Sequence, residues 1–265
     1  MIGAVRDLFM LKNIAKRAIS LYLSPLKRSA RLFHYVKGEF FTDASEHFYS
    51  ATNYIKKHAA PSRDEIIVDV GGANGGTSVY FANAFPGHQV YCIEPNARML
   101  PYLKVVAAKH KSVIVKPLAL GSAVKEATLH VTANDLSSSL NELNLDELEQ
   151  TDAEFQAKLT EEQQIRVRVS TLDEEFKDSS GVLLIKLDTQ GTEIEILKGG
   201  VETLKKTRFI LAEMNNHLLY KNTCQYYEVD EFLRSRSFKL ADIVVTYRGD
   251  QGLTEYDALY RNLSL

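Results

Sequence analysis

Two apolar runs in this chain end in acids, Ile66-Ile67-Val68-Asp69 and Val90-Tyr91-Cys92-Ile93-Glu94, and between them lies a loop of small residues, Gly71-Gly72-Ala73-Asn74-Gly75-Gly76. Backbone without bulky side chains can approach a ligand closely, and its N–H groups, with the start of the next helix, can meet polar ligand atoms. Glu94 is placed to accept hydrogen bonds from ribose hydroxyls, and Asp69 to reach the same ligand. Together they suggest an adenosine-type pocket. Gly71, Ala73 and Gly76 also fit the dinucleotide spacing G-x-G/A-x-x-G, so a nicotinamide cofactor competes. An acid beside the loop repels a pyrophosphate and attracts an amino-acid ammonium, which favours S-adenosylmethionine.

Two further acids close later apolar runs. Asp188 follows Val182–Leu187, Glu213 follows Phe209–Ala212, and His217 comes soon after. If the reaction is methyl transfer to an alcohol, the protein must hold the acceptor oxygen in line and place a base near its proton. Asp188 is the first candidate base, His217 the second, and Glu213 the third. Each has a plainer alternative: a helix cap for Asp188, an ion pair with Lys186 for Glu213, a surface histidine for His217. Asp188, Glu213 and Asn215 form the oxygen-ligand set that Mg²⁺ would use, and the sequence leaves metal dependence open.

Strands and helices must alternate to bring these ends together. Ile66–Asp69, Val90–Glu94, Val113–Val115, Ile165–Val169, Val182–Leu187 and Arg208–Glu213 read as strands, with amphipathic segments between several of them. Phe238–Val245 and Tyr256–Tyr260 read as an antiparallel pair at the sheet edge. The fold expected is α/β, a doubly wound and mostly parallel sheet with an antiparallel edge strand, preceded by N-terminal helices. A helix is expected over Ser45–Ala59, with Phe48, Ala51, Tyr54 and Ile55 on its buried face.

Charge is unevenly distributed along the 265 residues. The first 37 carry +7 and the remainder −9, which argues against nucleic acid as partner for the main domain. Residues 8–22 form a basic amphipathic pattern, with Leu8, Leu11, Ile14, Ala15, Ala18, Ile19 and Tyr22 on one face. That face would pack on the domain or a second subunit, or lie on an anionic membrane surface. No apolar run is long enough for a membrane span, and two cysteines without a disulfide or metal pattern fit a reducing cytoplasm, with peripheral contact at the inner membrane surface as a further option. Residues 1–60 are expected as a helical extension and 61–265 as the catalytic domain, interrupted at about 135–164 by an acidic insertion. The insertion reads as solvated helices or as a lid, and the run Ser137-Ser138-Ser139 before it offers hydroxyls to the cofactor.

The segment Ile185-Lys-Leu-Asp-Thr-Gln-Gly-Thr-Glu-Ile-Glu-Ile-Leu-Lys-Gly-Gly200 resembles the K-x-D-x-E-G-x-E-x-x-x-L-x-G-x signature of the FkbM family of S-adenosylmethionine-dependent methyltransferases. V-S-T-L-D-E-E-F from Val169, the serine run, A-E-M-N from Ala212 and D-A-L-Y-R-N from Asp257 extend the likeness over roughly residues 64–262. Gln190 stands where that family usually has Glu, and Asn74 lies one place later in the loop than is usual. The resemblance implies a class I methyltransferase sheet and O-methylation of a sugar, glycan or natural-product hydroxyl. Alternatives are a lipid-linked acceptor at a membrane, or a non-catalytic adenosine-binding or assembly module that kept the fold. The residues expected to contact the cofactor are Asp69, Gly71, Gly72, Ala73, Asn74, Gly75, Glu94 and Pro95, with Leu120 and Ser138 from further along the chain. Tyr220, Tyr226 and Tyr227 are the aromatic side chains that would stack on a sugar ring.

Overall fold

The computed structural model describes residues 48–265 apart from 60, 61, 63, 150, 152, 217, 250 and 251. The basic stretch 8–22 and His217 therefore lie outside the described residues. Helix α1, Tyr49–His58, occupies most of the segment expected to be helical, and it buries Ala51, Thr52 and Ile55.

Strand β1, Ile66–Val70, is buried at every position, as a central parallel strand covered on both faces must be. The glycine loop turns the chain into α2, Gly76–Ala84. Strand β2, Val90–Ile93, helix α3, Leu100–Lys109, and strand β3, Val113–Lys116, complete the first half. The chain then leaves the main sheet. Strands β4, Ala119–Leu120, and β5, Lys125–Thr132, precede two short helices, α4, Leu145–Leu148, and α5, Ala153–Leu159; β6 follows at Glu161–Ser170. Helix α6, Leu172–Phe176, leads back into the sheet. There follow β7, Val182–Leu187, α7, Glu193–Lys198, α8, Val201–Lys205, β8, Thr207–Asn215, α9, Tyr226–Arg234, β9, Phe238–Gly249, and β10, Gly252–Asn262.

The main sheet has the order β3-β2-β1-β7-β8-β10-β9, parallel from β3 through β8. Strand β10 is antiparallel to both β8 and β9. The expected antiparallel pair thus closes the edge, with the antiparallel strand second from the end and β9 outermost. The order reverses between β1 and β7, where a crevice opens beyond the carboxyl ends of the strands. Register aligns those ends: Val70 pairs with Ile93 and with Leu187, and Leu187 pairs with Ala212. Gly71, Glu94, Asp188 and Glu213 each follow one of these residues, so the four positions form one row along the crevice.

Val68, Val70, Ile185, Leu187, Ile210 and Ala212 share a core with Ile196, Leu197 and Leu204 of α7 and α8. Full burial of an aliphatic side chain of Val or Leu size stabilises by roughly 1.5–3 kcal/mol, so this layer holds the row rigid.

A second sheet, β4-β6-β5, stands apart from these expectations. Ala127, Leu129 and Val131 alternate along β5 and pack with Val167 and Val169 of β6. The acidic insertion is correspondingly less helical than expected. It contains a 3₁₀ turn at Asp135–Ser137 and the two short helices, while Glu161 and Glu162 open strand β6 with their side chains exposed.

Candidate active site

Two cavities lie along the crevice, and Asp188 and Leu136 line both. The first is bounded by Gly71 and Ala73 of the loop, Glu94 and Pro95 after β2, Leu118 and Leu120 around β4, and Ser138 and Leu140 beyond the 3₁₀ turn. Ile93, Leu118, Leu120 and Leu129 give apolar surface suited to a purine, and Glu94 gives an acceptor suited to a ribose, so these residues fit an adenosine. Of the ten residues expected at the cofactor, Gly71, Ala73, Glu94, Pro95, Leu120 and Ser138 line this cavity.

Asp69, Gly72, Asn74 and Gly75 are not among its lining residues, and the reasons are visible. Asp69 is fully buried; its Oδ2 accepts from Ser78 Oγ at 2.6 Å, and its Oδ1 lies 3.8 Å from Lys186 Nζ. Burial raises the Asp69 pKa although Lys186 opposes the shift. The loop N–H groups, expected to meet a ligand, are engaged within the protein. Gly71 and Gly72 both donate to the Ile93 carbonyl, Ala73 donates to Glu94 Oε2, Gly75 to the Gly72 carbonyl, and Gly76 to Asn74 Oδ1. Packing also requires glycine at positions 71 and 72. A Cβ on Gly71 would sit 1.8 Å from the Asp188 carbonyl oxygen, and one on Gly72 would sit 2.3 Å from Cys92 Sγ.

Glu94 organises this end of the crevice. Its Oε2 accepts from Ala73 N at 2.8 Å and its Oε1 from Asn96 N at 2.7 Å, so one carboxylate ties the loop to the turn after β2. Burial pushes its pKa up to about 7, against the lowering effect of those two N–H donors. Arg98 pairs with Asp135 at 3.3 Å and Glu162 at 2.9 Å, two acids of the insertion expected to be solvated or to form a lid.

The second cavity, about 260 Å³, is lined on one side by Leu136, Phe155, Leu159 and Leu219 and on the other by Asp188, Gln190, Glu213, Asn215 and Glu255. Lys186, which is 2% exposed, donates to Asp188 Oδ2 at 2.8 Å. Burial opposes its charge, but Asp188 and Asp69 outweigh that and hold the Lys186 pKa above its ordinary value. The alternative pairing of Lys186 with Glu213 is therefore not the one formed. Gln190 Nε2 donates to Asp188 Oδ1 at 3.2 Å and to Glu213 Oε2 at 2.9 Å, and Asn215 Nδ2 also donates to Glu213 Oε2 at 3.2 Å. Glu213 is held well above the usual carboxylate pKa, first by burial and then by the charge of Asp188. Asp188 is the more open of the two to solvent, and Glu213 is the one whose protonated form burial favours.

The set considered for Mg²⁺ does not fit a cation. A carboxylate can only accept, so the amide nitrogens of Gln190 and Asn215 face the carboxylates where a cation would have to sit. Among the described residues no group of three or more His, Cys, Asp and Glu side chains is arranged to hold a metal ion.

Glu193 is buried at the start of α7, and its Oε1 accepts from Thr189 N, Thr189 Oγ1 and Gly191 N. It shapes the loop after Asp188 rather than facing either cavity. Ser139 supports the same loop by donating to the Gln190 carbonyl at 2.9 Å. Tyr220 lines the second cavity but is 5% exposed and donates its hydroxyl to the Ser137 carbonyl; Tyr226 and Tyr227 pack against each other and line neither cavity. Leu118, Leu129 and Asp135 complete the first cavity although the sequence analysis did not select them. The alternation of Leu118 with Leu120, and of Ala127 with Leu129 and Val131, was the available signal.

The strand order, the glycine loop after β1 and the acid after β2 define a Rossmann-like α/β fold with a nucleotide-type crevice. The family profile described as the methyltransferase FkbM domain matches residues 69–240. The chain belongs to the FkbM methyltransferase family. Over 211 residues it is 26% identical to the 2-O-methyltransferase NoeI of Sinorhizobium fredii (strain NBRC 101917 / NGR234), spanning 76% of this chain and 81% of that protein. Among solved structures, an FkbM methyltransferase from Methylobacillus flagellatus KT aligns with TM-score 0.47 and 15% identity over 87% of this chain, which spans 59% of that structure's length. The magnesium protoporphyrin IX methyltransferase of Synechocystis PCC 6803, solved with bound S-adenosylmethionine, aligns with TM-score 0.48 and 11% identity, covering 93% of this chain and 96% of that one. Among the described residues no helix is long and apolar enough to cross a membrane.

Proposed function

We propose that this methyltransferase transfers the methyl group to a hydroxyl of a sugar or glycan. The observation that carries the reading is the position of Asp188, which lines both the first cavity and the second. S-adenosylmethionine, when bound, supplies an electrophilic methyl group on sulfur. The second cavity supplies what a sugar ring needs, an apolar wall for its C–H face and polar groups for its hydroxyls. Asp188 takes the proton of the acceptor hydroxyl as the oxygen attacks, and each of its oxygens keeps a lone pair beyond the bonds to Lys186 and Gln190. The 2-O-methyltransferase activity in the name of the relative supports oxygen as the methylated atom.

The test is release of S-adenosylhomocysteine with a panel of methyl glycosides, run beside Asp188→Asn. Loss of the base is expected to lower kcat by about 10²–10⁴-fold with the donor dissociation constant little changed. Turnover with amines or thiols but with none of the glycosides would refute the reading.

A further inference from the structure

We propose that Gln190 is a positioning residue for methyl transfer: its amide bridges Asp188 and Glu213 and fixes the direction in which Asp188 faces the acceptor. The inference rests on Asp188 acting as the base.

Three facts converge on this side chain. Gln190 Nε2 has two hydrogens and two carboxylate acceptors, Asp188 Oδ1 at 3.2 Å and Glu213 Oε2 at 2.9 Å. Lys186 Nζ holds the other oxygen of Asp188 at 2.8 Å, so the carboxylate is gripped from both sides and cannot rotate without losing one partner. The Gln190 backbone has φ +59, a conformation that non-glycine residues adopt rarely, and it is maintained by the bond from Ser139 Oγ to its carbonyl.

The electrostatic setting explains why an amide belongs there. Glu213 feels the charges of Asp188, of Glu255 and Asp257 from β10 and of Glu193 from α7, while Lys186 of β7 pairs with Asp188 and lies near Asp69 of β1. Lys186 is the only cation in that set. Hydrogen bonds from a neutral donor therefore supply stabilisation that a second ammonium would otherwise have to give. A glutamate at position 190 would instead bring a third carboxylate within about 3 Å of the other two, a crowding that only a bound proton or cation relieves. Gln190 instead donates to both carboxyl groups and adds no negative charge beside them.

The experiment compares the wild type with Gln190→Met, which keeps side-chain length and loses both donors, and with Gln190→Glu. Calorimetric titration with S-adenosylmethionine first establishes that each variant retains the donor site. Carbon-13 NMR of carboxyl-labelled protein, with Glu213→Gln to assign the signal, then follows the Glu213 titration and requires no acceptor. Its midpoint is expected to rise by about one pH unit in Gln190→Met and further in Gln190→Glu, because a hydrogen bond to the charged form is lost. With the methyl glycoside that turns over fastest, the acid limb of the kcat profile should move the same way while KM changes little. A Glu213 midpoint that stays in place in folded Gln190→Met, or a loss of rate equal at every pH, would overturn the proposal. If Asp188→Asn keeps full activity, the base reading itself fails; if Asp188→Asn is inactive and the Gln190→Met profile is unmoved, only the role of Gln190 fails.

Discussion

The ammonium of Lys186 lies 2.8 Å from the carboxylate of Asp188, two residues along the same strand end, although Lys186 is buried and Asp188 opens on two cavities. The pair links the core to the boundary between the two cavities. Its inner neighbour is Asp69, 3.8 Å from the same ammonium and paired in register with Lys186 on the adjacent strand β1.

Removing Lys186 should therefore be costly for the fold as well as for activity. Lys186→Met leaves Asp69 inside the core without a counter-charge, and breaking a buried pair by deleting one partner costs about 3–5 kcal/mol. Urea unfolding is expected to show that loss, and the double variant Lys186→Met, Asp69→Asn should recover a substantial part of it. Equal midpoints for the single and double variants would show that Asp69 is not the partner left stranded.

Glu94 gives a pH dependence whose sign can be worked out. Its folded pKa of about 7 lies above the ordinary carboxylate value of 4.5, so its contribution to stability is complete below about 4.5 and is lost as pH rises through 7. Donor binding should run the other way, because the charged carboxylate is the better acceptor for ribose hydroxyls. Calorimetry across pH 6 to 8 is expected to show tighter S-adenosylmethionine binding on the alkaline side, and Glu94→Gln should bind weakly with little pH dependence. A slope that persists unchanged in Glu94→Gln would assign the titration to another group.

Much of this site was legible because acids that end buried strands announce themselves in a sequence. Glu94 and Glu213 follow unbroken apolar runs, Asp188 follows one interrupted only by Lys186, and parallel pairing in register then aligns them without further information. Asp69 follows the same pattern one residue too early. It pairs within β1 beside Cys92 and Lys186, which turns its side chain into the core. The function of the two leading loop glycines was also hidden, because the same residue type serves ligand approach and chain-to-chain approach. Ile165–Val169 was legible as a strand but belongs to the second sheet and not to the main one, and β5 escaped notice because Lys125 and Glu126 open it and mask the alternation that follows.

The segment Asp135–Leu140 forms the outer wall of the first cavity, which is narrow at about 50 Å³ of open space. Arg98 ties that wall to the turn after β2 through Asp135 and ties it also to Glu162. A nucleoside-sized ligand seated in this cavity would contact Leu136, Ser138 and Leu140 of that wall. Hydrogen exchange in this segment is expected to slow when S-adenosylmethionine is added, and Arg98→Ala should exchange faster there in the free protein. Protection confined to the loop after β1, with no change over 135–140, would place the wall outside the donor site.

Gly72 provides a steric test that separates packing from ligand approach. A Cβ at this position would sit 2.3 Å from Cys92 Sγ, while the next contacts, Asp69 Oδ2 and Cys92 Cβ, are at 3.5 and 3.6 Å. The clash is thus with one sulfur atom. Gly72→Ala is expected to lower stability and donor affinity together, overpacking of a tight core typically costing about 1–3 kcal/mol. Cys92→Ala removes the sulfur and leaves a Cβ at ordinary contact distance, so the double variant should regain both properties relative to Gly72→Ala. A coupling energy close to zero in that double-mutant cycle would mean that Gly72 is needed for the ligand and not for the strand behind it.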